Sequence, residues 1–124
     1  MLSFVRRSDF SMECIFCKIA SGEVPSQKVY EDDLVVAFDD LNPQAPVHVI
    51  IIPKKHIASV NELLPTDAFI IGHIFKVAKK IAIAKDIAES GYRIVNNCGQ
   101  DGGQSIMHMH FHLLGGRKMM WPAG

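Results

Sequence analysis

The sequence contains no apolar run of the roughly 20 residues that a membrane-spanning helix needs. Neither sign of charge dominates, because 13 lysine and arginine residues balance 13 aspartate and glutamate residues and no long block of either sign occurs. A chain with this balance lacks the basic surface on which long nucleic acids bind. We therefore predict no membrane and no nucleic acid among its partners, whereas a small anionic ligand is compatible with its charge.

Cysteine is also scarce. The three cysteines, Cys14, Cys17 and Cys98, are an odd number that cannot form a complete disulfide framework. The basic pair Arg6-Arg7 is not followed by the apolar segment of a secretory signal. Thiols stay reduced inside the cell, so we predict a cytoplasmic location. The chain has no internal repeat and no low-complexity segment.

Length and composition indicate one packed domain. With 124 residues, of which 48% are hydrophobic, the chain can bury one core but not two of ordinary size. We predict a single domain over residues 12–124. Residues 1–11 are expected to form a disordered extension.

Hydrophobic periodicity predicts one short helix, one long helix and several strands. The short helix covers residues 14–20 and ends at Ser21-Gly22. The predicted strands cover residues 28–31, 34–38, 47–52, 92–97 and 106–114. Asp32-Asp33 joins the first two in a hairpin, and the β-branched run from Val47 to Ile52 is typical of a central strand buried on both faces. Successive strands with one long helix between them favour an antiparallel α+β domain.

The long helix is predicted to begin near Thr66-Asp67, which supplies the N-cap, and to continue to about Lys85. Two adjacent apolar stripes run along it: Ile70, Ile74, Val77, Ile81 and Ala84, and beside them Ile71, Phe75, Ala78 and Ala82. This wide apolar face has two interpretations. Part of it packs against another subunit, or both stripes widen the contact inside one chain.

The most informative stretch is a row of histidines near the C-terminus. Alternate side chains of an extended strand share a face, so residues 108–113 place their histidines on one face and their apolar residues on the other. The histidines are His108, His110 and His112, and the apolar residues are Met109, Phe111 and Leu113. A glycine-rich loop over residues 99–105 precedes the row and allows the backbone to approach a ligand closely.

Three interpretations of this row are open. Three solvated structural histidines are one, although strand propensity does not favour histidine at alternate positions. A zinc site is the second, with His48 or His56 as a further ligand. The third is nucleophilic attack on phosphorus by the central His110, in which a hydrogen bond to one ring nitrogen leaves the other free. This interpretation also uses the glycine-rich loop, because its amides and the Ser105 hydroxyl can bind phosphate.

At these residues the sequence strongly resembles the histidine triad (HIT) superfamily, whose mark is His-x-His-x-His followed by two apolar residues. Other segments resemble its nucleotide-binding branch: Asp40-Leu41-Asn42-Pro43-Gln44-Ala45-Pro46, Ile52-Pro53-Lys54-Lys55-His56-Ile57, Asp101-Gly102-Gly103-Gln104-Ser105, Leu114-Gly115-Gly116-Arg117 and Trp121-Pro122. The resemblance spans residue 14 to the C-terminus. It implies an α+β HIT-like fold, in which an antiparallel sheet of about five strands carries one long helix and a short N-terminal helix and is joined across a homodimer.

The resemblance also implies an enzyme. Members of this branch hydrolyse the P–N bond of purine nucleoside phosphoramidates, such as AMP joined to lysine, through a nucleotidyl-histidine intermediate. The implied ligands are purine nucleotides: AMP, GMP, adenosine and phosphoramidates. Alternatives are a dinucleoside polyphosphate hydrolase, a nucleotide-binding interaction module with vestigial catalysis, and a zinc hydrolase.

The family pattern assigns roles to individual residues. His110 would be the nucleophile, and His48 would belong to the relay around it. The phosphate would be contacted by His112, Asn97, Ser105, Gly103 and Gln104. Asp40 would accept hydrogen bonds from the ribose hydroxyls, which suits an ionised carboxylate. The apolar base pocket would consist of Ile15, Phe16, Ile19, Phe38 and Leu41, and Trp121 would shape the choice of leaving group.

The pair Cys14-x-x-Cys17 is by itself compatible with a redox pair or with two reduced, buried thiols. The resemblance to some bacterial histidine triad proteins implies a structural zinc site completed by His56 and His108. Two thiolates and two imidazoles close a tetrahedral set and leave no open position for catalysis. We therefore expect structural zinc and no catalytic cofactor.

Two further residues fall outside these schemes. Cys98 is expected to be incidental. His73, on the long helix, is expected to lie at the surface or at an interface.

Overall fold

The computed structural model describes residues 13–124, so the predicted extension over residues 1–11 lies outside the described residues. The helices are α1 (Ile15–Ser21) and α2 (Ala68–Ala84). The strands are β1 (Lys28–Glu31), β2 (Val35–Asp39), β3 (Val47–Pro53), β4 (Tyr92–Asn96) and β5 (Phe111–Gly115). Two short 3-10 helices, Val60–Glu62 and Pro65–Asp67, lead into α2.

The five strands form one antiparallel sheet in the order β1-β2-β3-β5-β4. The centre is β3, which pairs with β2 on one side and with β5 on the other. From His48 to Pro53 every residue of β3 is buried, as its β-branched sequence predicts. The predicted α+β class, the antiparallel sheet of about five strands and the two helices are thus confirmed.

The two helices cover opposite faces of the sheet, because neighbouring strand residues point to opposite sides. On the α2 side the core is formed by β2, β3 and β5: Val35, Ala37, Val49, Ile51, Phe111 and Leu113, with Met109 just before β5. On the α1 side Phe16 and Ile19 pack against Val36, Phe38, Ile50 and Ile52. The prediction that Met109, Phe111 and Leu113 share a core-facing side therefore holds.

Helix α1 is short and is stabilised at both ends. The Cys14 sulfur accepts a hydrogen bond from the backbone N–H of Cys17 at the N-terminus, at 3.3 Å. Gly22 ends the helix in the left-handed conformation, with φ of 84°, and its N–H donates to the carbonyl of Ile19. The predicted end at Ser21-Gly22 is confirmed.

Within residues 13–124, the apolar face of α2 is only partly covered. Six residues are buried against the sheet: Ile70, Ile74, Val77, Ala78, Ile81 and Ala82. Ile71 of the second stripe is half-buried, whereas Phe75 and Ala84 are exposed. Phe69 and Ile83 are exposed as well. Large apolar side chains therefore remain uncovered along one side of the helix.

The start of α2 differs in detail from the prediction. Asp67 occupies the N-cap position, but its carboxylate does not cap the helix. One oxygen accepts a hydrogen bond from the Leu64 amide at 3.0 Å, and the other pairs with Lys55 at 2.6 Å. The acid therefore fastens α2 to the loop that follows β3.

The predicted strand over residues 106–114 is wrong in its first half, because β5 begins only at Phe111. Two backbone groups of the preceding residues have partners outside a strand ladder. The Met109 amide donates to the Ile57 carbonyl at 2.6 Å, and the His110 carbonyl accepts from the side chain of Asn96 at 2.8 Å. The chain bends over residues 106–108, and residues 109 and 110 lead into the strand without regular structure.

His73, which was expected at the surface or at an interface, pairs with an acidic residue of its own chain. Its Nε2 lies 2.6 Å from an oxygen of Asp32, in the turn between β1 and β2. Tyr30 donates a hydrogen bond to the same carboxylate at 2.8 Å. This cluster ties α2 to the hairpin.

Among residues 13–124, no helix has the length and hydropathy needed to cross a membrane.

Candidate active site

His108, at the end of the bend before β5, lies in a cluster with both cysteines of the pair. His108 is fully buried, and its Nε2 lies 2.8 Å from the carbonyl of Pro53. A carbonyl only accepts, so Nε2 carries the proton and Nδ1 holds a lone pair. That Nδ1 faces the sulfurs of Cys14 and Cys17 at 3.3 and 3.5 Å.

His110 has the opposite tautomer. Its Nδ1 lies 2.8 Å from the carbonyl of His108, so Nδ1 carries the proton and Nε2 retains its lone pair. The edge of the ring packs against Phe16 of α1, with centroids 5.1 Å apart. His110 is almost fully buried yet lines a cavity. Its geometry therefore presents an unprotonated nitrogen as a possible nucleophile.

His48 and His112 form a directed chain of hydrogen bonds beside His110. The backbone N–H of Gln44 donates to His48 Nδ1 at 3.0 Å, so the His48 proton is on Nε2. That nitrogen lies 2.8 Å from Nδ1 of His112 and 3.3 Å from a carboxylate oxygen of Asp40. With Nδ1 accepting, His112 carries its own proton on Nε2. His112 can therefore donate a hydrogen bond to a phosphate oxygen.

The electrostatics of the pair agree with neutral rings. Burial, together with the neighbouring His110 and His48, lowers the pKa of His112 to about 4. Burial also lowers the pKa of His48, although the Asp40 carboxylate opposes that shift. At neutral pH both rings are uncharged, as the hydrogen-bond chain requires.

A cavity of about 500 Å³ opens in front of His110 and His112. Its walls include predicted residues from α1, from β2 and the loop after it, and from the segment before β5: Ile15, Phe16, Ile19, Phe38, Asp40, Leu41 and Ser105. The walls are largely apolar. One end carries the imidazoles and the Ser105 hydroxyl, an arrangement suited to an apolar ring with an anionic group attached.

Sequence reasoning missed other parts of the cavity wall: Val24, Pro25, Ser26, Gln27, Asp39, Ile50 and Ile106. Four of these residues form the linker between α1 and β1, which has no periodicity from which a role could be predicted. Ile50 belongs to β3, whose continuous apolar run does not reveal which residues face a ligand.

Some predicted site residues do not line this cavity within the described structure: His48, Asn97, Gly103, Gln104 and Trp121. His48 acts on the cavity through His112. Asn97 directly follows β4, and Trp121 is 81% exposed in the C-terminal segment. The structure therefore brings His110, His112, Asp40, Ser105 and the apolar residues together around the cavity, whereas these five lie outside its walls.

Both the oxygen and the nitrogen of the Gln104 side-chain amide form hydrogen bonds within the protein. Its amide oxygen accepts from the Gly99 N–H at 2.9 Å, and its amide nitrogen donates to the carbonyls of Ala58 and Ile106 at 2.7 and 3.0 Å. These bonds fasten the glycine-rich loop to the segment after β3. The loop also depends on Gly102, where a Cβ atom would lie 2.3 Å from the Cys98 carbonyl.

The cysteine pair lies beside the row of histidines. The cluster consists of Cys14, Cys17, His56 and His108, and its donor atoms all lie within 4.8 Å of one another. Cys17 Sγ is 3.2 Å from His56 Nδ1, which is itself 3.2 Å from His108 Nδ1. Two sulfurs and two imidazole nitrogens converging on one point match the donor set of tetrahedral zinc.

The protonation of the cluster also fits a bound cation. Burial, reinforced by Cys14, raises the pKa of Cys17 to about 12, so a positive charge is needed to favour the thiolate. Burial lowers the pKa of His108 to about 4, which keeps its Nδ1 available as a ligand. The residues present therefore fit a structural metal ion.

Comparison with known proteins identifies the class to which this fold and site belong. The model of the HIT domain family matches residues 21–119, so the chain belongs to the HIT family. The chain is 49% identical over 107 residues to the purine nucleoside phosphoramidase of Escherichia coli K12, an alignment that covers 86% of this chain and 90% of that protein.

Solved structures agree with this assignment. The HIT family hydrolase of Legionella pneumophila Philadelphia 1 superimposes with a TM-score of 0.89 at 51% identity, covering 90% of this chain and all of the other. A zinc-bound histidine triad family protein from Mycobacterium smegmatis superimposes with a TM-score of 0.75 at 30% identity, covering 86% of this chain and 77% of that one. The resemblance to the histidine triad family is thus confirmed.

Proposed function

We propose that this protein hydrolyses the P–N bond of purine nucleoside phosphoramidates, with AMP joined to an amine such as lysine as the model substrate. The observation that carries the proposal is the tautomer of His110. Its Nδ1–H is bound to the His108 carbonyl, so the opposite nitrogen keeps its lone pair, and His110 lines the cavity. The activity named for the E. coli relative supports this choice of substrate.

The proposed reaction has two steps. In the first, Nε2 of His110 attacks the α-phosphorus, the P–N bond breaks, and the amine leaves with its bonding electrons and takes up a proton. In the second, water attacks the nucleotidyl-histidine and releases the nucleoside monophosphate with His110 restored. Dividing the reaction in this way replaces one difficult displacement with two easier ones.

The neighbouring groups have distinct parts in this proposal. His112 donates its Nε2–H to the phosphate, and His48 holds it in the required tautomer. The Ser105 hydroxyl adds a second donor, while Asn97 and the amides of the loop containing Gly103 complete the phosphate contacts. Donors fixed before the reaction stabilise developing charge without reorganising.

The rest of the nucleotide fits the remaining cavity. The purine lies between the apolar residues of α1 and those of the sheet, and Asp40 accepts hydrogen bonds from the ribose hydroxyls. The ligands we propose are AMP, GMP, adenosine and their phosphoramidates. Leu41 is 95% exposed at the edge of the cavity and closes over the base, while the exposed Trp121 contacts the leaving group.

We also propose a structural zinc ion held by Cys14, Cys17, His56 and His108. When bound, the ion cross-links the N-terminus of α1, the segment after β3 and the bend before β5. His108 in turn accepts the Nδ1–H of His110 through its carbonyl, so the cluster helps to orient the nucleophile. The zinc-bound relative from M. smegmatis supports this assignment.

The exposed apolar side of α2 supports a homodimer. Phe69 is 61% exposed and Ile83 equally so, and Phe75 lies between them on the helix. Large apolar side chains that are exposed along one helix support an interaction surface. We place the dimer in the cytoplasm, as the reduced cysteines suggest.

The test of the proposed function is rapid-quench mass spectrometry of the intact protein with an adenosine phosphoramidate. We expect an adduct of one AMP unit on His110, and in His110→Ala no adduct and at least a roughly 10³-fold loss of turnover with AMP still bound. His73→Ala, which removes a histidine far from the cavity, is the control. Turnover retained in His110→Ala would overturn the proposal, and an untouched substrate in the wild type would favour a binding module.

A further inference from the structure

We propose that Asn96, the last residue of β4, is a positioning residue that holds the nucleophile His110 in its reactive orientation. Its side-chain nitrogen donates a hydrogen bond of 2.8 Å to the backbone carbonyl of His110. This inference rests on the proposed function of His110. The neighbouring Asn97, and not Asn96, was the residue that the family pattern singled out.

Asn96 acts at the point where the regular pairing of β4 and β5 stops. The pairing ends at Asn96 and Phe111, and His110 is the residue directly before the start of β5. The His110 carbonyl is almost completely buried with its residue, and a buried carbonyl left without a donor is costly. The Asn96 side chain supplies that donor where the strand ladder does not.

Residues 108–110, which connect the bend to β5, are fastened by three hydrogen bonds besides the contacts of His108 in the cysteine cluster. His108 Nε2 is bound to the Pro53 carbonyl, and the Met109 amide to the Ile57 carbonyl. Both of these anchors belong to β3 or to the segment after it. Asn96 provides the third, and it alone of the three connects these residues to β4 through a side chain.

The conformation of residues 108–110 determines how the imidazole of His110 is held. Its Nδ1–H reaches back to the carbonyl of His108, two residues earlier, which requires a fixed conformation of the intervening backbone. If the His110 carbonyl loses its partner, the peptide that follows the histidine can rotate. The Nδ1–H bond then loosens, and Nε2 no longer points steadily at phosphorus. Small misplacements of a reacting group reduce rate more than binding.

The test compares the rate of His110 nucleotidylation with AMP affinity in three variants. Asn96→Leu keeps the approximate size but has no donor, Asn96→Gln keeps an amide, and Asn61→Leu makes the same change on an exposed 3-10 helix. We expect Asn96→Leu to slow adduct formation about tenfold, the effect of one lost hydrogen bond, with the Kd for AMP changed less than twofold. Asn96→Gln should recover most of the rate, and Asn61→Leu should match the wild type.

Three results would overturn the proposal. The first is an unchanged rate in Asn96→Leu, and the second is a parallel loss of rate and AMP affinity, which indicates general disorder of the site. The third is Asn96→Gln as slow as Asn96→Leu. If Asn96→Leu does not fold, Asn96→Asp, of the same shape without the amide donor, takes its place. These three results differ from a wild type that forms no adduct at all. That result would refute the proposed function itself, which the role of Asn96 presupposes.

Discussion

His48 and His112 are 64 residues apart in the sequence, yet Nε2 of one lies 2.8 Å from Nδ1 of the other. The bond joins β3 to β5 across the centre of the sheet. Because the Gln44 amide donates to the other nitrogen of His48, the proton of each ring has one defined position. The tautomer of His112 is thus set by a backbone amide two hydrogen bonds away.

Removing His48 should therefore impair catalysis without removing the nucleotide site. In His48→Ala, His112 loses the donor that fixes its tautomer, and we expect kcat to fall about 10- to 100-fold, less than for a direct proton donor. The Kd for AMP should change by less than about threefold. Steady-state kinetics and calorimetric titration measure the two quantities. Equal losses in both would contradict a relay and indicate a binding role.

The low pKa of His112, about 4, predicts how stability depends on pH. The unfolded ring binds its proton near pH 6.5, so between pH 6.5 and 4 the unfolded state holds more protons than the folded one. The stability associated with neutral His112 is present above pH 6.5 and is lost as the pH falls towards 4. The groups that face this ring are His48, His110 and Asp40.

Urea denaturation of wild type and His112→Gln at several pH values isolates this contribution. The free energy of unfolding should decline less steeply with acidification in the variant, since one titrating group is gone. NMR titration of the labelled imidazoles provides the direct pKa. Parallel pH profiles for the two proteins, or a His112 pKa near 6.5, would refute the buried neutral ring.

The zinc proposal predicts one metal ion per chain and a structural effect of its removal. Cys17→Ser should lose most of the zinc, and its melting temperature should fall by roughly 10 °C because a structural ion contributes directly to folding. Cys98→Ser is the matched control and should keep the metal. Elemental analysis and calorimetry check both. Folded, metal-free protein should retain turnover, whereas loss of activity on chelation without unfolding would favour a zinc hydrolase.

The patch on α2 predicts a dimer that a single charge disrupts. Phe69→Glu places a carboxylate among exposed apolar side chains, and burying an unpaired charge is unfavourable. We expect the variant to sediment as a monomer at concentrations where the wild type is a dimer. Asn61→Glu, which adds the same charge on the exposed 3-10 helix before α2, should not alter association. If the wild type is a monomer at every concentration, the patch on α2 is not a dimer interface.

Strands and helices with strong periodicity could be predicted from the sequence. The β-branched run of β3 and the apolar repeat of α2 give their positions almost residue by residue, because burial dictates their composition. The start of β5 could not be predicted, since it depends on Asn96 and Ile57 taking backbone groups of the residues before it. A periodic pattern of apolar residues does not reveal partners that are distant in the sequence.

The same distinction applies to the site. Alternation predicts that the histidine row is the functional stretch, but the tautomer of each ring depends on its hydrogen-bond partner, which is a backbone carbonyl for His108 and His110 and the His48 ring for His112. The contact between His73 and Asp32 illustrates this limit as well. Burial acts to raise the Asp32 pKa, but hydrogen bonds from His73, the amides of Leu34 and Val35, and Tyr30 hold it well below its usual range. Three of these donors lie within three residues of Asp32, but His73 is 41 residues away and cannot be foreseen from local pattern.

The order of the elements has a consequence for synthesis of the chain. One wall of the cavity is α1, which precedes all five strands in the sequence. His112 lies in β5 and His110 directly before it, and β5 is inserted between β3 and β4. A ribosome therefore releases the apolar wall long before the strand that completes the sheet. Contacts between such distant segments form slowly and late. The growing polypeptide consequently has no complete candidate site until β5 has emerged.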